Sequence, residues 1–187
     1  MTVELVYETH SITEDNEAGI ATGWLPGRLS DRGRRLAVEL GDRRRDEDIA
    51  AVYTSDLARA VDTAQIAFGA SQVPMHLDAR LRECDYGTLN GSPVGDLDWV
   101  RLAHVEDPFP GGQGYRDVVE ATAGFLRDLR RDHEGRRVLV IAHSANRWAL
   151  DHLLNGAPIE ELVDAPFDWQ PGWLYVVNAS SSASDIE

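Results

Sequence analysis

The amino-acid sequence predicts a three-layer α/β/α sandwich with a mostly parallel central sheet. Two apolar runs, 49–55 ("IAAVYTS") and 137–143 ("RVLVIAH"), are nearly continuous, which is typical of strands buried on both faces of a sheet. Each run leads directly into a helical pattern. Strands that alternate with helices favour an α/β fold in which helices cover both faces of a parallel sheet.

The first segment of the chain predicts a strand and then a helix. Residues 3–9 read as a short strand, and a helix is expected over 31–45, after Ser30. The strand at 49–55 then leads into a second helix.

That second helix is expected from Leu57 to about Phe68. Ser55 or Asp56 can cap its N-terminus, and Gly69 is placed to end it. The pattern recurs after 137–143, where Ser144 can cap a helix that Gly156 ends.

A longer helix is predicted over 113–133. The residues that share one face at helical spacing are Tyr115, Val118, Val119, Thr122, Phe125, Leu126 and Leu129. The region 84–112 before this helix is rich in glycine, proline and aspartate, and predicts an irregular excursion where a substrate loop would lie. Residues 172–178 predict a last strand, and 179–187 predict a disordered tail.

Length and composition favour one soluble domain over residues 1–178. The chain has 187 residues and a net charge of −14, which argues against nucleic acid or an anionic membrane as a partner. All 18 cationic side chains are arginine, so mechanisms that use a lysine nucleophile are excluded. Cys84 is the single cysteine and predicts a small buried apolar residue. Without a signal segment or membrane-length apolar run, a cytoplasmic location is the default expectation.

Polar residues that can carry chemistry follow three predicted strands. His10 ends the first, the segment from Ser55 to Arg59 follows the second, and His143 ends the third. In parallel sheets the carboxyl ends of the strands form the ligand site. Together with Glu83 in "RLRECDYG", these residues suit phosphoryl transfer to histidine, in which a neutral imidazole attacks phosphorus. Taken singly, each of them is better explained as a structural residue.

Several segments, in order, resemble the histidine phosphatase superfamily, which includes the cofactor-dependent phosphoglycerate mutases. His10 and Asn16 keep the spacing of the opening motif of that family. The segments that resemble further family motifs are "ATGWLPGRLSDRGRRLA" (21–37), "VYTSDLARAVDTA" (52–64), "LRECDYGTLNG" (81–91), "FPGGQGYRDV" (109–118) and "VLVIAHS" (138–144). The resemblance covers nearly the whole chain and implies a phosphoglycerate mutase-like fold.

The resemblance also implies a role for each matching residue. His10 would be the phosphorylated nucleophile, Arg59 and His143 would hold the phosphoryl group, and Glu83 would be the general acid and then the base for water. Asn16 and the backbone amide of Ser144 would donate to phosphate. The other expected substrate contacts are Thr9, Thr22, Arg28, Arg82 and Arg147. No metal and no cofactor would be required.

The sequence departs from the family pattern around the nucleophile. Thr-His-Ser stands where the family has Arg-His-Gly, so Thr9 occupies the position of a phosphate-binding arginine. Three explanations stay open at this point. Thr9 can donate its hydroxyl; another arginine, from Arg28, Arg82 or Arg147, can reach the site; or Glu8 can bind Arg59 and weaken the phosphate site. Of these, a replacing arginine is slightly favoured.

Three functions therefore compete. The first is a metal-independent phosphomonoesterase that acts on a small phosphorylated metabolite, with phosphoglycerate mutase-type transfer as a less favoured variant. The second is a catalytically impaired module that binds phosphate or another anion. The third is metal-dependent hydrolysis through His10, Glu83 and His143. A homodimer is among the assemblies that the sequence leaves open, and the natural substrate is not predicted.

Overall fold

A computed structural model describes residues 2–178, and the predicted tail at 179–187 lies outside the described residues. The strands are β1 (Val3–Thr9), β2 (Ile20–Ala21), β3 (Ile49–Thr54), β4 (Met75–Leu77), β5 (Ser92–Pro93), β6 (Arg137–Ala142) and β7 (Trp173–Val177). The α-helices are α1 (Glu14–Ala18), α2 (Asp31–Arg44), α3 (Ala58–Phe68), α4 (Val94–Asp98), α5 (Tyr115–Asp132), α6 (Ser144–Asn155) and α7 (Ile159–Asp164). Short 3-10 helices lie at Ala79–Leu81, Gly87–Leu89 and Arg101–His104.

The central sheet has five strands in the order β4-β3-β6-β1-β7. The pairs β4/β3, β3/β6 and β6/β1 are parallel, whereas β7 runs antiparallel to β1. The predicted mostly parallel sheet is therefore confirmed. A separate pair of short strands joins β2 to β5.

Helices cover both faces of the central sheet, so the predicted three layers are present. One buried cluster joins the sheet to α2 and α3, and another joins it to α5 and α6. In β1, Val6 belongs to the first cluster, whereas Leu5 and Tyr7 belong to the second. Because successive strand residues point to opposite faces, a strand between two helical layers has to be apolar on both.

The helix α5 buries the face that its sequence predicts. Its buried residues are Tyr115, Val118, Val119, Thr122, Phe125, Leu126 and Leu129. The apolar stripe thus packs on the sheet and α6, while the remaining side chains lie at or near the surface. Within residues 2–178, no helix is long and apolar enough to cross a membrane.

Two of the predicted helix caps are wrong. Ser30 caps α2 by accepting from the Gly33 amide, and Gly156 ends α6 in the left-handed conformation, both as expected. The N-cap positions of α3 and α6, however, are Leu57 and His143, and neither has a capping side-chain hydrogen bond. The Ser55 hydroxyl contacts a histidine of the candidate site at 2.7 Å and accepts from the Leu57 amide only at 3.4 Å, and the Ser144 hydroxyl donates to a carboxylate of the site.

The segment 84–112 is more ordered than its composition predicts. It contains β5, α4 and two of the 3-10 helices, and it packs its apolar residues against α5 and α6. Tyr86, Leu97 and Phe109 belong to one buried apolar cluster together with Trp148 of α6. The short elements α1, β4 and α7 were likewise not predicted, because helices and strands of this length are stabilised by packing rather than by a readable periodicity.

Candidate active site

The carboxyl ends of three neighbouring parallel strands form the candidate site. His10 follows β1, Ser55 follows β3 and His143 follows β6, and these strands are adjacent in the order β3-β6-β1. The rings of His10 and His143 have centroids 5.0 Å apart. The sheet therefore brings together residues that lie more than 130 positions apart in the chain.

His10 is held as a neutral imidazole whose Nε2 lone pair faces Arg59. Its Nδ1 lies 2.7 Å from the carbonyl oxygen of Ser11, to which it can only donate, and Arg59 Nε donates to His10 Nε2 at 3.3 Å. Nδ1 therefore carries the proton and Nε2 is the basic atom. Burial, and after it the charge of Arg59, lowers the pKa of His10 to about 3. A neutral imidazole with its lone pair on Nε2 suits nucleophilic attack.

Arg59 is fixed by backbone carbonyls of the loop that precedes α2. It is 2% exposed and donates from its terminal nitrogens to Gly23 at 2.8 Å and to Leu25 at 3.4 Å. Burial lowers its pKa, but a guanidinium stays charged at neutral pH. The loop depends on Gly23, which has a φ of +55° and whose Cβ would lie 1.8 Å from Asn90 Oδ1.

His143 has a ring nitrogen, Nδ1, without a hydrogen-bond partner among the described residues. Its Nε2 lies 2.7 Å from Ser55 Oγ, which itself accepts from the Leu57 amide at 3.4 Å. When the Ser55 hydroxyl donates to Nε2, Nδ1 carries the proton of the neutral ring. Within residues 2–178 this buried Nδ1 has no partner. Burial, Arg59 and His10 all lower the pKa of His143, which keeps the ring neutral.

Glu83 is buried beside the N-terminus of α6. Its Oε1 accepts from the Cys84 amide at 2.8 Å, and its Oε2 accepts from Ser144 Oγ at 3.1 Å. Asn146 was not singled out in the sequence, yet it connects this segment to β6. Its Nδ2 donates to the Arg82 carbonyl at 3.2 Å, and its Oδ1 accepts from the His143 amide at 3.3 Å. Its position two residues after Ser144, in the first turn of α6, is the signal that could have identified it.

A cavity of about 390 Å³ lies beside His10, and several predicted contacts line it. Thr9, Asn16 and Ser144 share this cavity with His10. Asn16 uses its Oδ1 to accept from the Thr13 amide. Thr22 is buried, and its hydroxyl donates to Asp15 Oδ2 at 2.8 Å. This hydroxyl therefore links its loop to α1.

The three arginines expected to replace the missing one bind elsewhere. Arg28 pairs with Glu14, Arg82 pairs with Asp56, and Arg147 pairs with Asp151. Arg82 and Arg147 also stack on Trp24 and Trp173. None of these three side chains lines the cavity as it is formed by residues 2–178.

Glu8 does not bind Arg59, so that explanation of the anomaly is wrong. The Glu8 side chain is 2% exposed. Its Oε1 and Oε2 accept from Arg43 at 3.0 and 3.1 Å, and Oε1 also accepts from Arg44. Two arginines of α2 that the sequence reasoning missed, Arg32 and Arg43, line the cavity instead. The signal for them was that α2 is the first long helix after β1, so it can pack beside the carboxyl end of that strand.

Ser11 stands in ordinary backbone geometry. No residue other than glycine has a positive φ among residues 2–178, so a serine is tolerated after His10. The Ser11 hydroxyl donates to the Gly33 carbonyl at 2.6 Å, and its amide donates to Thr63 Oγ1 at 3.0 Å. The nucleophile loop is thereby attached to both α2 and α3.

The third functional alternative required a metal at His10, Glu83 and His143. Among the described residues, no group of three or more His, Cys, Asp or Glu side chains is arranged to hold a metal ion. The site instead offers one arginine and one neutral imidazole donor for an anion.

Comparisons with known proteins point to one family. The profile of the histidine phosphatase superfamily (branch 1) matches residues 9–185. Phosphoserine phosphatase 1 from Hydrogenobacter thermophilus is 27% identical over 168 residues, which cover 85% of this chain and 79% of that protein. A 2,3-bisphosphoglycerate-dependent phosphoglycerate mutase from Mesorhizobium japonicum is 31% identical over 206 residues, which cover 100% of this chain and 98% of that protein.

Among solved structures, Bacillus stearothermophilus YhfR matches with a TM-score of 0.80 and 26% identity, over 99% of this chain and 100% of that chain. A phosphoglycerate mutase from Bacillus anthracis matches with a TM-score of 0.70 and 20% identity, over 83% of this chain and 81% of that chain, so the fold is phosphoglycerate mutase-like. On the profile match, the full-length relatives and this fold, the chain belongs to the histidine phosphatase superfamily.

Proposed function

We propose that the chain is a metal-independent phosphomonoesterase that acts through a phosphohistidine at His10. The observation that carries this proposal is the hydrogen bonding of His10, which leaves Nε2 as the basic atom beside Arg59 and His143. A small phosphorylated molecule is the proposed partner. Relatives that are named phosphatases and mutases support phosphoryl transfer in general.

In the first step, Nε2 of His10 attacks phosphorus and the bond from phosphorus to the ester oxygen breaks. The Glu83 carboxyl gives its proton to the departing oxygen, so a neutral alcohol leaves. Arg59 and the Nδ1 proton of His143 stabilise the charge on the phosphoryl oxygens. A buried, preorganised donor pair of this kind contributes more than it would in water, because no solvent has to reorganise.

In the second step, water replaces the alcohol. The Glu83 carboxylate takes one proton from this water as its oxygen attacks phosphorus. The phosphorus–nitrogen bond breaks, inorganic phosphate leaves, and His10 returns to its neutral form while Glu83 regains its proton. The cycle needs no metal, since Arg59 and His143 supply the donors that a cation would otherwise provide.

The test is phosphate release from an aryl phosphate in the presence of a chelator, with wild type, His10→Ala and His76→Ala. His76 lies on the edge strand β4 and is exposed, so it serves as the matched control. We expect chelator-resistant turnover that is lost only in His10→Ala, together with acid-labile phosphate on the wild-type chain.

Other outcomes would support the alternatives. Turnover that the chelator removes would favour the metal-dependent reaction. Phosphate binding without turnover would favour the impaired binding module, and transfer to an added alcohol instead of water would favour a mutase.

A further inference from the structure

The cavity beside His10 is lined by both polar and apolar side chains. Thr9, Asn16 and Ser144 line it together with His10, and Ile12, Leu36, Leu40, Phe167 and Trp169 line it as well. We propose that this cavity binds the leaving alcohol of the substrate and selects phosphomonoesters of apolar alcohols that carry about one aromatic ring. This inference rests on the proposed function and specifies its substrate class.

Most of the apolar lining residues come from two separate segments of the chain. Leu36 and Leu40 are four residues apart on α2, so they lie on one face of that helix. Phe167 and Trp169 belong to the segment between α7 and β7. Trp169 is 57% exposed, which leaves a large apolar surface that a bound ring would cover.

The size of the cavity agrees with this class of ligand. Its volume of about 390 Å³ lies near the lower end of the range for small-molecule sites, roughly 300–1,000 Å³. Thr9 lines the cavity with a short side chain, so the space next to the nucleophile stays open. One aromatic group attached to a phosphoryl group is a ligand of suitable size.

The charged side chains around the cavity cancel. Glu8 is buried and paired with Arg43, so this pair offers no net attraction to a ligand. The other two charged residues, Arg32 and Glu39, have opposite signs and both lie on α2. A second anionic group on the substrate would thus gain no net attraction, while its burial against the leucines would cost desolvation energy.

Comparing primary alkyl phosphates tests the inference, because their leaving alcohols are chemically similar. We would measure kcat/KM for benzyl phosphate, ethyl phosphate and O-phosphoserine by release of inorganic phosphate. Benzyl phosphate is expected to exceed both others by about tenfold or more, since one ring buried in an apolar site adds more than a single methylene does. The gain should appear mainly in KM.

A pair of tryptophan variants localises the preference. Trp169→Ala should reduce the benzyl preference severalfold, whereas Trp99→Ala should leave it unchanged. Trp99 is 90% exposed and does not line the cavity, so it is a matched control for the loss of a surface ring. Equal effects of the two substitutions would overturn the inference.

The outcomes separate this inference from the proposed function. Turnover that depends on His10 but shows no benzyl preference would keep the phosphatase and refute the apolar subsite. If no ester is hydrolysed, calorimetric titration with benzylphosphonate and methylphosphonate decides the question without catalysis. Tighter binding of benzylphosphonate, lost in Trp169→Ala, would support the subsite, and equal affinities would refute it.

Discussion

At the scale of single residues, two histidines become chemically different through their hydrogen bonds. His10 donates from Nδ1 to a carbonyl, so its Nε2 is basic. His143 Nε2 contacts the Ser55 hydroxyl, and when it accepts from that hydroxyl its Nδ1 is a donor. The same residue type thereby supplies an attacking atom and a stabilising proton within one site.

The residue before His10 provides the first prediction. Replacing Thr9 by arginine adds a guanidinium to the cavity beside the nucleophile, where Arg59 is otherwise the cation bonded to His10. We expect kcat/KM for ethyl phosphate to rise about tenfold or more, because one donor aimed at the transition state typically contributes about 10²–10³. Thr9→Met, which adds length without charge, should give no gain. An unchanged rate in Thr9→Arg would contradict the idea that the site lacks a second cation at this position.

Burial of His10 predicts a pH dependence of stability. Its folded-state pKa of about 3 lies below the ordinary value of 6.5, so below pH 6.5 the unfolded chain binds a proton that the folded chain does not. Stability should therefore fall as the pH is lowered from 6.5 towards 3. At pH 5 this one residue is expected to cost about 2 kcal/mol of unfolding free energy.

Denaturant titrations at pH 7 and pH 5, in buffers without phosphate, measure this effect. His10→Gln should lose less stability between the two pH values than wild type does, whereas the exposed control His76→Gln should behave as wild type. The same loss in all three proteins would rule out His10 as the cause.

At the scale of elements, helix α2 determines the position of the nucleophile loop. The Ser30 amide donates to the Ile12 carbonyl at 3.1 Å, and Ser11 Oγ donates to the Gly33 carbonyl at 2.6 Å. A Cβ on Gly33 would lie 1.8 Å from the Ile12 carbonyl oxygen. The helix and the loop are therefore in direct backbone contact, which only a glycine permits.

Alanine substitution of two helical glycines tests this contact. Gly33→Ala should push the loop away from α2, lower the unfolding free energy by about 2 kcal/mol or more, and reduce turnover. Gly124→Ala on α5 is the control, since its new Cβ would meet the nearest atom at 3.5 Å. The control should gain about 0.5–1 kcal/mol from helix propensity and keep full activity. Thermal or denaturant unfolding, together with phosphate release, measures both variants.

At the scale of the whole molecule, the net charge of −14 acts against an anionic substrate. The long-range field repels phosphate esters, while Arg59 attracts them only at short range. We therefore expect kcat/KM to rise as NaCl is increased from about 10 to 150 mM, because the screening length falls from about 30 to 8 Å. Choline chloride should act equally if screening is the cause. A steep fall in rate with salt would contradict this picture.

The homodimer remains a prediction. Strand β7 lies at the edge of the sheet, and its Leu174 and Val176 are 64% and 51% exposed. Sedimentation of wild type and of a variant with both residues changed to threonine would measure whether a homodimer forms through this surface.

The local pattern of the sequence determined the layers of the fold. The apolar runs of β3 and β6, the buried face of α5 and the Gly156 stop could all be predicted, because each depends on residues close together in the chain. The identities of His10, Arg59, Glu83 and His143 as a candidate set were likewise readable from the sequence, through strand ends and a family resemblance.

Only the tertiary structure decided what these residues contact. The hydroxyls of Ser55 and Ser144 turned from predicted helix caps into partners of His143 and Glu83, and Glu8 bound Arg43 and Arg44 instead of Arg59. Arg32 and the aromatic segment near Trp169 reached the cavity from distant parts of the chain. The physical reason is that hydrogen bonds and ion pairs depend on distances of a few ångströms between residues far apart in sequence, which the order of strands in the sheet sets and local periodicity does not encode.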